Sequence, residues 1–296
     1  MTSLGSMYFQ KKIVLDYYSS QITRYDFLNL NRVEKNMNQI ENAKVGYVMP
    51  SLGKNLIWLQ KAIHSIQQQD HETDLVIVIP KTIPEFEAWL IRQRVKFIYE
   101  SKPNLTNAIN SGVQYFLDAG IEYFAFLGDD DILLPSSTRS LMTAFQQENV
   151  VSSVGHCWYI DETEKVVFHN RAWPKLITFM RIIPNVIPHP GAIMKTETWK
   201  KIGGFDENLH FAMDLDYWLK LRKYGKIVRV ECPMSLFRWH SNGLTASNRE
   251  SSMAEAISVR RKHSTGFFLI LNAIFAPLMT YLGERVLLKN AARYQK

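Results

Sequence analysis

Residues 126–135 read Phe126-Leu127-Gly128-Asp129-Asp130-Asp131-Ile132-Leu133-Leu134-Pro135, three consecutive carboxylates at the exit of an apolar run. Tyr123 to Leu127 has the length and composition of a short buried strand. The triplet therefore falls at a strand's carboxyl end, where open α/β sheets bind their ligands. Like charges a few ångström apart resist joint ionisation unless a cation screens them, and a divalent metal held by oxygen ligands is the simplest such cation. An isolated Asp-Asp-Asp is equally what a solvated acidic turn looks like. The residues around it decide between the two.

Upstream, Val45-Gly46-Tyr47-Val48-Met49-Pro50 reads as a strand ending at a proline, with Ser51 to Asn55 as a loop. Leu56, Leu59, Ile63 and Ile66 have the spacing of an amphipathic helix over 56–69. Leu75 to Ile79 is an uninterrupted apolar run of the kind buried on both faces of a parallel sheet. A helix over 84–94, a strand over 95–99 and a helix over 103–118 then lead into the acidic triplet. About four alternations of strand and helix predict a doubly wound α/β sheet with a nucleotide-type crevice. Neither G-x-G-x-x-G nor G-x-x-x-x-G-K-[ST] occurs, which excludes a Rossmann fingerprint and a P-loop. A diphosphate would have to be held some other way, and a metal bridging the triplet to phosphate oxygens is such a way.

Downstream the character changes. A helix to about Gln147 is followed by strands over 150–160 and 165–169, by Trp158, Trp173 and Phe179, and by Pro184, Pro188 and Pro190, which together read as a substrate platform. His189 lies in the proline-rich loop, where a structural role competes with one at the site. Gly203-Gly204-Phe205-Asp206-Glu207 is a turn, and Met213 begins a helix with Leu215, Trp218, Leu219 and Tyr224 on its apolar side. Asp214 and Asp216 point about 200° apart on that helix, so at most one faces a crevice. The alternative has Asp214 capping the helix and Asp216 solvated. Leu236 to Asn242 reads as an edge strand running into a loop, where His240 supplies a nitrogen ligand to a metal.

The chain has 296 residues, 46% hydrophobic and 21% charged, a composition that forms a core and argues against disorder. A formal net charge of +7 favours anionic partners such as nucleotides or acidic headgroups, while dispersed basic residues and no recognised module argue against nucleic acid. Cys157 and Cys232 form no C-x-x-C pair, so neither a disulfide framework nor a zinc site is expected, which fits a reducing cytoplasmic setting. Residues 1–44 read as an N-terminal extension without a secretory signal, and Met1 to Ser6 as a leader outside the fold. The remaining units are 45–150, 151–255 and a basic, apolar tail, 256–296. In that tail Gly266 to Leu282 is strongly apolar but falls short of the roughly 20 residues that span a bilayer. Flanked by Arg260, Arg261 and Lys262 before it and Arg285, Lys289 and Arg293 after it, it reads as an interfacial membrane anchor. A buried helix pair or a homodimer contact is the alternative.

V-G-Y-V-M-P, N-A-I-N-S-G at 107–112, F-L-G-D-D-D-I-L-L-P, and G-G-F-D-E followed by M-D-L-D-Y-W-L-K-L stand in one order over Val45 to Asn242. In these motifs the chain resembles the inverting glycosyltransferases of the GT-A fold, in the large bacterial family 2 group that builds cell-surface glycans. The resemblance implies an α/β GT-A fold with a mostly parallel central sheet and helices on both faces, to which the membrane-associating helical tail adds. It implies a D-x-D-type motif for metal and nucleotide-sugar diphosphate, and a general base at the later helix start. Carried onto this chain, Asp214 is the base. Pro50, Ser51, Asn110, Asp129 and Asp130 face the nucleotide sugar, a UDP-sugar by preference, and Asp130, Asp131 and His240 hold Mn2+ or Mg2+. Strict D-x-D spacing selects Asp129 and Asp131, whereas alignment on D-D-I-L favours Asp130 and puts Gly128 where many relatives have Asp. Two further departures are Met213 in place of a second acid beside Asp214, and Val78-Ile79-Pro80-Lys81 where relatives carry Asp near the nucleoside. The implied enzyme moves a sugar to a glycan or lipid-linked acceptor at the inner face of the cell membrane. The competing readings are a sugar nucleotidyltransferase, which would need a glycine-rich basic loop not seen here, and a non-catalytic nucleotide- or glycan-binding scaffold.

Overall fold

The structure, a computed structural model, describes residues 40, 43–241 and 243–275. Most of the N-terminal extension, Asn242 and the tail beyond 275 lie outside the described residues. The predicted alternation is present as β1 (Val45–Pro50), α1 (Leu56–Gln67), β2 (Thr73–Ile79), α2 (Pro84–Gln93), β3 (Phe97–Tyr99), α3 (Leu105–Asp118) and β4 (Tyr123–Phe126). β1 pairs in parallel with β2 and β4, and β2 with β3. Local chemistry sets the helix starts. Asn55 accepts the Ile57 and Trp58 N–H groups ahead of α1, Asn104 accepts that of Asn107 in α3, and Pro84 occupies the first turn of α2.

The second half adds β5 (Ile132–Leu133), α4 (Ser137–Met142), β6 (Val150–Ile160), β7 (Val166–Asn170), β8 (Ile193–Lys195), α5 (Thr196–Ile202), α6 (Met213–Leu221), β9 (Lys226–Arg238), α7 (Leu244–Ser247) and α8 (Arg249–His263). All nine strands form one sheet in the order β3-β2-β1-β4-β8-β6-β9-β5, with β7 on β6. β6 and β9 are parallel, and the pairings made by β5, β7 and β8 are antiparallel. This is the GT-A type of α/β fold.

Alternation along the strands explains the layers. Val48, Val76 and Val78 join Ile109, Val113 and Phe116 of α3 and much of α6 in one buried cluster, whereas Tyr47, Met49, Ile77 and Ile79 join Leu59, Ile63 and Ile66 of α1 in another. Helices thus cover both faces. Gly112 lets α3 approach β1, since a Cβ there would stand 2.4 Å from Val48 Cγ1.

Three local expectations are corrected. Leu236 is not on an edge: it pairs with Ile132 on one side and Trp158 on the other, so β9 is interior. The helix expected up to Gln147 is the short α4 followed by a 3-10 turn, Thr143–Gln146. α6 ends at Leu221, which leaves Tyr224 exposed rather than on its apolar side.

Candidate active site

β4 delivers the acidic turn to the carboxyl edge of the sheet. The Leu127 N–H donates to Val48 O at 3.0 Å, and the Asp131 N–H to Gly128 O at 3.2 Å, closing the turn. Ser51, fixed at the end of β1 by its N–H to Val78 O, donates its hydroxyl to Asp129 Oδ2 at 2.5 Å. Pro50, the last residue of β1, pairs with Val78 at the same edge. Burial pushes the Asp129 carboxyl up to about 6, against the lowering effect of the Ser51 hydroxyl.

The other two carboxylates differ sharply. Asp130 Oδ2 lies 2.8 Å from His240 Nε2, with 27% of the Asp130 side chain exposed. Asp131 is buried, and its Oδ1 accepts the Arg238 N–H at 3.0 Å. Burial and the Asp130 charge raise the Asp131 carboxyl well above the usual range. The turn therefore offers Asp129 and Asp130, both half-buried, outward and holds Asp131, also expected in the metal set, inward against the Arg238 N–H.

A buried cation holds this arrangement. Arg238 donates Nε to Asp130 O at 3.0 Å, Nη1 to Asp161 O at 3.3 Å and Nη2 to Glu164 Oε1 at 3.1 Å. Its guanidinium lies 4.8 Å from the Trp58 ring centroid, and the His240 ring 5.0 Å from the same indole. Trp58 thus packs against both side chains that bond to the Asp130 region.

Asp214 occupies the first turn of α6, although Ala212 rather than Asp214 is the capping residue. Asn185 Nδ2 donates to Asp214 Oδ2 at 2.8 Å and the Leu215 N–H to Oδ1 at 2.7 Å. Burial nevertheless pushes the Asp214 carboxyl up to about 6, with those two hydrogen bonds opposing it. Such a group is ionised at neutral pH and basic enough to take a proton. Asp216 is not solvated. It is fully buried against Lys220 (2.5 Å), His263 (2.8 Å) and Lys262 (3.2 Å), and the His263 and Lys220 contacts outweigh burial to hold its carboxyl far below the usual range.

Aromatic packing links the two carboxylate elements. Phe126, just before the acidic turn, lies 3.7 Å from His189, and His189 lies 5.4 Å from Trp218, one turn along α6 from Asp214. His189 is buried in this wall, which holds its pKa down to about 3, so the ring is neutral. Tyr159 is raised mainly by burial, with the Asp131 and Asp214 charges both contributing, so it stands within the field of both groups. Asn110, expected at the nucleotide sugar, is half-buried in α3. Its amide donates to Phe205 O and accepts the Phe205 N–H, pinning the turn made by Gly203 and Gly204, both at positive φ.

Residues 48–196, half of the chain, match the family described as Glycosyl transferase family 2. The chain belongs to this family. An uncharacterized glycosyltransferase of Rickettsia bellii is 22% identical over 82% of the chain, and that match covers 35% of the relative. A second, from Rickettsia typhi, is 22% identical over 57% of the chain and 56% of its own length, so the chain spans about a third to a half of these relatives. Chondroitin synthase of Escherichia coli is 25% identical over 46% of the chain and 20% of its own length. Among solved structures, S. aureus TarS 1-349 in complex with UDP-GlcNAc superposes with a TM-score of 0.53 at 14% identity, over 74% of this chain and 66% of TarS 1-349. That likeness concerns the fold.

In this family 2 member, no three or more His, Cys, Asp or Glu side chains gather into a metal-binding group among the described residues. Asp130 and His240 form a two-residue donor set instead, which fits a divalent ion whose other ligands are phosphate oxygens and water. Cys157 and Cys232 are buried, and neither forms a disulfide among the described residues. Arg238, Asn185 and Trp58 escape a sequence reading, because each meets a partner distant in the chain.

Proposed function

We propose that the chain is a metal-dependent inverting glycosyltransferase that moves a sugar from a UDP-sugar to a glycan or lipid-linked acceptor in cell-surface polysaccharide synthesis. The observation that carries this reading is the pairing of the outward Asp129–Asp130 turn with a separate, half-buried carboxylate, Asp214, across the Phe126–His189–Trp218 wall. TarS, described with UDP-GlcNAc, shares the fold and supports the choice of donor.

Asp214 takes the acceptor hydroxyl proton as that oxygen attacks the anomeric carbon from the face opposite the diphosphate. Asn185 keeps the carboxylate oriented and ionised. Asp130 and His240 would hold Mn2+ or Mg2+, which offsets charge on the leaving diphosphate when bound. Ser51 and Pro50 border the nucleotide, with Asp129 held by Ser51. Residues 45–150 form the donor half and 151–255 the acceptor half. The tail, 265–290, contacts the inner face of the cell membrane peripherally; no described helix is long and apolar enough to cross a membrane.

The test is product stereochemistry. With an α-linked UDP-sugar, NMR of the product should show a β-glycosidic linkage, absent with Asp214→Asn. A retained α-linkage, or full activity in that variant, contradicts the assignment.

A further inference from the structure

Two segments without a single acidic residue meet on one side of the molecule. Residues 165–196 and 256–283 contain no Asp or Glu; the first carries Lys175 and Arg181 on its 3-10 turn and the second the exposed Arg261, whereas Arg260 is buried and Lys262 is held by Asp206 and Asp216. They pack together where the 3-10 turn Pro174–Arg181 meets the helical residues 267–275. Phe179 and Phe268 lie 6.4 Å apart, Arg181 sits over the Phe268 ring at 4.8 Å, and Asn272 donates to Arg181 O at 2.7 Å. Phe268 and Asn272 face inward. Phe267, Ile270 and Ile274 share another face and are 68%, 60% and 62% exposed, and Phe179 beside them is 47% exposed. Large apolar side chains standing together in water mark a contact surface rather than ordinary scatter.

We propose that this face, built from the 3-10 turn as well as the tail, docks on an anionic lipid bilayer. Charge chooses the occupant. Phe179, Phe267, Ile270 and Ile274 beside Lys175 and Arg181, with no carboxylate in either segment, match acyl chains beneath acidic headgroups. A second copy fits poorly, because a two-fold interface sets a patch against itself and would bring these cations together. The surface also connects to the active site: Asn185, which holds Asp214, follows Arg181 by four residues, a chain reach of about 14 Å. The base therefore works close to the lipid surface, where a lipid-presented acceptor would stand. Docking deepens the membrane contact of the proposed function, and this last point rests in addition on the transferase reading.

The test uses the full chain with phosphatidylcholine vesicles, with and without phosphatidylglycerol, in a flotation assay. The wild type should float with the anionic vesicles. A triple variant, Phe179→Ser, Phe267→Ser and Ile270→Ser, should lose partitioning by on the order of a hundredfold. Its UDP binding, measured in parallel, should match the wild type, showing that these exposed positions were not needed for folding. Equal flotation of variant and wild type, or no binding to anionic vesicles, overturns the proposal. So does a soluble wild-type dimer that the triple variant converts to monomer in light scattering. If neither protein binds UDP, the transferase reading fails while the lipid result still stands.

Discussion

Replacing Asn185 by Ala removes one hydrogen bond from the Asp214 carboxylate while leaving the Leu215 N–H in place. That bond is made to the ionised form, so its loss raises a pKa that burial already sets at about 6. A hydrogen bond to a charged group contributes about 1.5–3 kcal/mol, of which water admitted by the truncation recovers part. A net loss near 1.4 kcal/mol is about one pKa unit, placing the variant's group near 7. The base must be ionised to act, so the acid limb of kcat/KM should move up by about one unit. At pH 6 the rate should fall about fivefold, and at pH 8 it should be nearly that of the wild type. UDP release across a pH series measures both. An unmoved limb with a plateau lowered at every pH would refute the reasoning, since it would mean that Asn185 positions substrate rather than tuning Asp214.

Asn110→Ala strands the buried N–H and C=O of Phe205, and chemical denaturation should show a loss of about 2–4 kcal/mol. A Cβ at position 128 would stand 2.7 Å from Asp130 Oδ1, so Gly128→Ala should displace that carboxylate and weaken Mn2+ binding about tenfold, read by electron paramagnetic resonance, with folding retained. Asp216→Asn removes the buried anion facing Lys220, Lys262 and His263 and should cost about 2–3 kcal/mol at neutral pH. Because the folded-state pKa of Asp216 is depressed, its contribution is present above the ordinary carboxylate value and fades as pH falls below it, so denaturation curves of wild type and variant should converge in acid.

The parts of the fold that were legible are those encoded by period. The runs at Val45–Met49 and Leu75–Ile79 and the spacing of Leu59, Ile63 and Ile66 announce a parallel sheet with helices against it, and the structure bears them out. Asp129, Asp130 and Asp214 stood out because closely spaced or isolated acids in apolar settings are conspicuous. What escaped depends on contacts between distant residues. Nothing local to Arg238 tells that its side chain is fully buried and reaches Asp130, Asp161 and Glu164, between 74 and 108 residues away. Asp216 looked solvated because its pairing cations, Lys262 and His263, come from α8. The interior place of β9 follows from its pairing with β5 and β6 together, which alternation along one strand does not encode.

The central claim is that Asp130, with His240, joins a divalent ion to a nucleoside diphosphate at this turn. Calorimetric titration of UDP into the full chain, with and without Mn2+, tests it most directly. UDP should bind when Mn2+ is present, bind at least about tenfold more weakly without it, and behave in Asp130→Asn as in the metal-free wild type. Binding of equal strength with and without metal, unchanged by Asp130→Asn, would contradict the account.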